Sequence, residues 1–380
     1  MEPGKVLIYR NELLPLSETF ILSQANTLRR FQPLFGGLRR LSSTLNLAPH
    51  SVVTVSSSES PVEKIKRRVF LRTGYAVQLL RLLETQNPHV IHAHFAIDAC
   101  AALPLAQKLR LPLVVTLHGY DVSCGEEVFR RWSTTRAYLR RREELWEYAA
   151  LFICVSEYVQ RRAIAAGFPE KKVWTHHIGV EQRSEQPDHI RDKKMVLFVG
   201  RLVGKKGCIH LIHAMSRVQE VIPEARLVIA GDGPLRKALE SEAVLRCKNV
   251  TFLGHQPHTV VKRWMQQARV LAAPSVRDQN GDAEGLPTVM CEAQAEGLPV
   301  VAFATEGVTE ALPQERRDSL SGTGDVAALA EEIIRLMSDE QAWQLASDAG
   351  RRYVRAHFDL NLQTQLLEDR YEEVIARFQG

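Results

Sequence analysis

The stretch EGLPTVMCEAQAEGLPVV, Glu284 to Val301, reads as a turn, a helix and a buried strand in immediate succession. Gly285, Leu286 and Pro287 turn the chain into a helix predicted to start near Pro287. Gly297 ends that helix, and PVVAF then opens an apolar strand. A loop, a helix and a fully apolar strand in this order are the repeating unit of a parallel α/β sheet.

The same rhythm runs almost from end to end. Strand-like runs in the first half are KVLIYR, SVVTVS, VIHAHF, LVVTLHG, LFICVS and VWTHHIG. In the second half they are MVLFVG, ARLVIAG, VTFLG, VLAAPS and PVVAFA. Amphipathic stretches of helix length separate them. The clear break is the polar segment QRSEQPDHIRDKK, Gln182 to Lys194, which reads as a linker between domains at 1–185 and 190–380. The fold class expected is α/β, two doubly wound Rossmann-like domains, with ligands outside the carboxyl ends of the strands. A last helix, about 358–378, presents Leu362, Leu366, Leu367, Tyr371 and Val374 and could pack on either domain.

At 380 residues with 45% hydrophobic and 24% charged side chains, the composition is ordinary for a globular protein and argues against disorder. Six scattered cysteines form no close pair, which excludes a zinc ribbon and suits a reducing cytoplasm. No run is long and apolar enough to span a bilayer, and Met1 to Arg10 reads as a strand rather than a signal peptide. Charge is uneven: Met1 to Glu181 holds 24 Lys and Arg against 16 Asp and Glu, net +8, and the remainder 25 against 28, net −3. The clusters Lys64, Lys66, Arg67, Arg68 and Arg140, Arg141, Arg142 are either solvated helix faces or a surface for anionic lipid or a phosphorylated acceptor. Nucleic acid is not an expected partner, since no recognition module accompanies them.

Three loops carry the chemistry. In FVGRLVGKKG, Phe198 to Gly207, Arg201 and Lys206 stand after a strand in a glycine-bounded loop. Arg can grip phosphate oxygens bidentately and Lys adds a point charge, although both could equally be surface cations. In IAGDGPLR, Gly231 and Gly233 permit either close approach to a ligand or a plain tight turn. In the third loop, Glu284 and Glu292 are separated by seven residues. The helix terminus between them offers unpaired N–H groups and partial positive charge to an anion. Glu284 can accept from sugar hydroxyls, and Glu292 can chelate two vicinal ribose hydroxyls or be a solvated helix residue.

Together these motifs resemble the GT-B-fold retaining glycosyltransferases of family 4 (group 1), from Met195 to about Leu336, where GDVAALAEEI also fits. The first half resembles the family more loosely, through HAHF, TLHGYD and HIGVE, and PLSETFI resembles the exopolysaccharide-type subgroup. The resemblance implies two domains facing across a cleft, and transfer of a hexose from a UDP-sugar, or next a GDP-mannose, to a saccharide hydroxyl. The acceptor would be a saccharide, free or linked to a polyprenyl diphosphate, with a soluble small molecule as the alternative. It further implies that Arg201 and Lys206 neutralise the leaving diphosphate and that Glu284 holds the sugar's C3 or C4 hydroxyl. Gly285, Leu286 and Pro287 would contact sugar and phosphate, Glu292 the ribose, and His118 the C6 hydroxyl across the cleft. Gly231 would border the donor site, and Gly254 and His255, in GHQPH, would frame the base.

Departures from the family pattern are equally visible. Many relatives carry a glycine pair in the first strand-to-helix loop; here Ser17, Glu18 and Thr19 stand there, and Glu18 would repel a diphosphate unless aimed at acceptor. HIGVE ends in Glu181 where Asp is commoner, and RDQNGD, Arg277 to Asp282, has no assignable contacts. The resemblance implies retention without metal or other cofactor, by front-face attack in which a donor phosphate oxygen takes the acceptor proton. His92, His94, His176 and His177 read as strand residues, not ligands. Location is expected to be cytoplasmic, peripheral at the inner face of the membrane. Two rivals stand beside this: a nucleotide-sugar epimerase acting on donor alone, and a non-catalytic partner of a transferase.

Overall fold

The computed structural model describes residues 3–41, 44–131, 133–182 and 191–379. They form two compact units, one running to Gly179 and resuming at Leu360, the other spanning Val180–Asp359. Of the expected linker, residues 183–190 lie outside the described residues. Arg191 beyond them is anchored in the second unit. Its guanidinium donates to the carbonyls of Met265 (2.7 Å), Ala268 (3.0 Å) and Glu296 and lies over the Trp343 ring.

The first unit is built on a parallel sheet ordered β3-β2-β1-β4-β5-β6-β7. Its strands are β1 Gly4–Tyr9, β2 Phe31–Arg39, β3 Ser51–Ser56 and β4 Val90–His94, then β5 Leu113–Leu117, β6 Leu151–Cys154 and β7 Val173–Thr175. β4 and β5 are buried at every residue, the polar His92, His94 and Thr116 included. β2 has no counterpart among the sequence-predicted strands. It contains Pro33, Gly36 and Gly37, residues that argue against a central strand. The structure explains the glycines: a Cβ on Gly37 would lie 2.0 Å from the Arg10 carbonyl oxygen, and one on Gly36 2.9 Å from Leu7 Cδ1. Here β1 and the chain after it press on β2 too closely for side chains.

The last helix, Leu360–Gln379, belongs to this unit. Leu367, Tyr371 and Val374 enter the core with Val6, Phe35 and Val114. Leu362 and Leu366, expected on the same face, point to solvent, and Thr364 and Glu368 take the buried positions. Glu368 Oε1 accepts from the amides of Arg29, Arg30 and Phe31, fastening the helix to the entry of β2.

The second unit holds a parallel sheet ordered β10-β9-β8-β11-β12. Its strands are β8 Met195–Val199, β9 Arg226–Ala230, β10 Val250–Gly254, β11 Val270–Ala273 and β12 Val300–Ala302. Helices Cys208–Val221 and Val326–Ser338 cover one face, with Leu211, Met215, Ile333 and Leu336 fully buried against it. In each sheet the order reverses once, between β1 and β4 and between β8 and β11. Loops leaving those strand pairs diverge to opposite faces, which opens a crevice at the carboxyl ends. Among the described residues no helix is long and apolar enough to cross a membrane.

Candidate functional site

In the second unit the crevice receives the loops after β8 and β11. After Val199 the chain passes Gly200 and the exposed Arg201, then makes a single 3-10 turn, Gly204–Lys206. Gly207 follows with φ 64°, and a Cβ there would sit 1.8 Å from the Pro274 carbonyl oxygen. The two loops therefore touch, backbone to backbone. Gly231 serves the same purpose: at φ 155° its Cβ would fall 1.9 Å from the Gly200 oxygen, and its amide donates to Gly254 at 2.9 Å. Close packing of three loops accounts for Gly231 and for the left-handed Gly254, while His255 beside it is exposed.

Glu284 is buried on the other side of the crevice, with its side chain 9% exposed. Lys206 Nζ lies 2.9 Å from its Oε1. That contact is an ion pair without the alignment of a hydrogen bond, so Oε1 remains without an aligned donor. Burial pushes the Glu284 carboxyl up, but Lys206, Lys205 and Arg201 outweigh it and hold the group below its ordinary value. The result is an ionised carboxylate with acceptor capacity to spare. Gly285, Leu286 and Pro287 are buried behind it, and the helix runs Thr288–Ala295 with Pro287 as its N-cap. Its first amides have no partner within the helix. Glu292, in its second turn, is held by His258 Nε2 at 3.6 Å, and this carboxylate raises the His258 pKa. His258 escaped the sequence reading as a partner of Glu292, since a contact between separate loops leaves no local signal.

In the first unit the loop after β1 is organised by Arg10. Its guanidinium grips Glu18 through Nη2 (2.6 Å) and Nε (2.9 Å), also bonds Asp98, and lies over the Phe95 ring. Asp98 accepts in addition from Asn11 N and Nδ2. Glu18 is therefore not a free charge: it is buried and ion-paired with Arg10. Ser17 is exposed and Thr19 half-buried beside it. Nothing in PLSETFI announces this arrangement, because Arg10 and Asp98 come from other segments.

His118 stands at the end of β5, its amide donating to Asp121 Oδ2 at 3.1 Å. Its Nε2 is 3.0 Å from His94 Nδ1, and its ring packs against Phe20 and Phe95. His92, His94, His118, His176 and His177 all line one small cavity of about 10 Å³. His92 bonds the Tyr371 hydroxyl and Thr116 Oγ1. Burial pushes His92 and His176 down to about 3, and His94 and His118 well below the usual value, so these four are neutral. Burial also lifts Asp121 to about 7.

The basic segment of the first half forms the helix Pro61–Thr73, capped by Ser60 and ended by the left-handed Gly74. Val62, Ile65 and Val69 are exposed along one face, whereas Phe70 is fully buried. Lys64, Arg68 and Arg72 are exposed and have no ion-pair partner among the described residues; Lys66 pairs with Glu63, and Arg67 with Glu59. In the second basic cluster Arg141 and Arg142 are likewise engaged, by Glu144 and Glu126.

Two family models match the chain: glycosyl transferases group 1 over residues 180–353, and glycosyltransferase family 4 over residues 38–183. The putative teichuronic acid biosynthesis glycosyltransferase TuaC of Bacillus subtilis is 28% identical over 300 residues, 76% of this chain and 71% of that one. The amylovoran biosynthesis glycosyltransferase AmsK of Erwinia amylovora is 27% identical over 277 residues, 71% of this chain and 67% of that one. Among solved structures, Anabaena HepE in complex with UDP and glucose matches with a TM-score of 0.76 at 19% identity, over 97% of this chain and 100% of that one. That last likeness concerns the fold, which is GT-B. By its two matching models, which together span residues 38–353, the chain belongs to the group 1 glycosyltransferases.

Proposed function

We propose that this glycosyltransferase moves a hexose, with retention and without a metal, from a nucleotide-diphosphate sugar to a saccharide hydroxyl. A UDP-sugar is the first candidate donor and GDP-mannose the next. The observation that carries the reading is the ionised, buried Glu284 facing Lys206 and Arg201 at the switch point of the second sheet. A diphosphate set there meets two cations and a helix N-terminus, which together offset the charge that grows as the sugar–phosphate bond breaks. Glu284 Oε1, lacking an aligned donor, accepts from a sugar hydroxyl. Glu292 accepts from the ribose. The acceptor oxygen bonds to the anomeric carbon on the face the diphosphate leaves, and its proton passes to a donor phosphate oxygen. Paired with Lys206, Glu284 is a weak nucleophile, and the hydroxyl-ligand role suits it better than a covalent one.

The acceptor is proposed to be a saccharide linked to a polyprenyl diphosphate, met at an anionic membrane surface by the helix Pro61–Thr73. Support comes from its exposed Val62, Ile65 and Val69 flanked by the exposed Lys64, Arg68 and Arg72. His118, neutral and held by His94, is proposed to serve a sugar hydroxyl.

The donor reading is tested by thermal unfolding with UDP, GDP and ADP and their sugars. One nucleotide series at 100 times its dissociation constant should stabilise the protein by about 2.7 kcal/mol. Indifference to all three would leave a non-catalytic partner as the better reading. Interconversion of the sugar without acceptor would make the protein an epimerase.

A further inference from the structure

The polar turn Arg277 to Asp282 has a defined architecture. Asp278 closes it: Oδ1 accepts from the amides of Asn280 (2.8 Å) and Asp282 (3.0 Å), and the Asp278 amide donates to the Asp282 carbonyl at 2.9 Å. Gly281, at φ 82°, makes the bend. Lys205 then pins the turn from across the switch point. Its carbonyl accepts from the Val276 amide at 2.8 Å, and its Nζ lies 2.8 Å from Asp282 Oδ2. Both side chains are only 14% exposed. Two residues further on, Glu284 meets Lys206. Adjacent lysines on one loop thus face two acids on the other, each lysine with its own acid.

The pairing is not a by-product of the turn. Asp282 Oδ1 is buried and makes no hydrogen bond, so the carboxylate's charge is balanced by Lys205. Lys205 also lies close enough to Glu284 to help keep it ionised. A lysine with no partner there would place surplus positive charge beside Lys206, and would compete with it for Glu284.

We propose that Lys205 and Asp282 are a positioning and charge-balancing pair for the diphosphate site, Lys205 holding the turn that leads into Glu284 and Asp282 cancelling the charge that Lys205 brings. The inference rests on the donor reading above. It carries a sign that a purely structural contact would not have. Neutralising Asp282 releases a cation towards the diphosphate, and affinity rises. Neutralising Lys205 leaves an uncompensated carboxylate, and affinity falls. Removing both charges restores the balance.

The test is calorimetric titration of UDP, GDP and ADP into the parent, Asp282→Asn, Lys205→Met and the double variant, with thermal unfolding of each alongside. Whichever diphosphate the parent binds should bind Asp282→Asn about tenfold tighter and Lys205→Met about tenfold weaker. The double variant should return to within about threefold of the parent, and Lys205→Arg, which keeps the charge if the Met variant does not fold, should match the parent. Weaker binding by Asp282→Asn, or a double variant as weak as Lys205→Met, would overturn the pair while leaving the donor site standing. A parent that binds none of the three diphosphates would overturn the donor reading, and this inference with it.

Discussion

Glu284 and Lys206 show how one contact separates two cations that look alike in sequence. Arg201 and Lys206 both read as loop cations, but Arg201 is exposed whereas Lys206 is paired with the buried Glu284. Arg201→Ala should therefore weaken nucleoside diphosphate binding at unchanged stability. Lys206→Ala should weaken it too and, by leaving the buried Glu284 with less compensation, lower stability by about 1–3 kcal/mol. Calorimetry and thermal unfolding on both variants check this; a Lys206→Ala protein as stable as the parent would mean the ion pair contributes nothing. The two acids should also divide the work. Glu292→Ala should lose about ten- to a hundredfold in nucleotide affinity, while Glu284→Ala should lose turnover with affinity nearly kept. Equal losses of affinity would contradict that division. The candidate acids and cations were legible because their spacing within one loop and helix is local. Their partners were not: Lys205 with Asp282, His258 with Glu292 and Arg10 with Glu18 join segments far apart or too short to show a pattern.

At the scale of elements, strands and crossover helices were readable wherever apolar runs alternate with amphipathic ones. β2 was not, since Pro33, Gly36 and Gly37 imitate a loop and are explained only by the neighbour pressing on them. The helix Pro61–Thr73 was legible as a basic amphipathic segment, but its outward face was not. Phe70 turns inward, and Lys66 and Arg67 are taken by Glu63 and Glu59. Membrane binding should accordingly depend on Lys64, Arg68 and Arg72, each worth about 1 kcal/mol near an anionic surface. Changing these three to Ser should abolish sedimentation with anionic vesicles, and added salt should do the same to the parent. Equal partitioning of the parent to neutral and anionic vesicles would reduce the helix to a solvated face.

For the whole molecule, the neutral histidine cluster makes stability a function of pH. His92, His94, His118 and His176 are held below the unfolded value of 6.5, so the unfolded chain binds more protons as pH falls. Their contribution is complete above about pH 6.5 and is lost progressively down to about 3, where His92 and His176 titrate in the native state. Asp121, lifted to about 7, takes up a native-state proton and offsets about one of the four. Stability should therefore fall as pH drops below about 6, with Tm flat above pH 7. A Tm unchanged down to pH 5 would mean the cluster titrates normally. Transfer from a nucleotide-diphosphate sugar is the step on which every assigned role depends. Its most direct test is to follow UDP-hexoses and GDP-mannose by NMR with the protein and a polyprenyl-diphosphate-linked saccharide, metal chelated. Nucleoside diphosphate should be released only when acceptor is present, with a new glycosidic bond of the donor's anomeric configuration. Release independent of acceptor, an inverted anomer, or a strict requirement for added metal would contradict it.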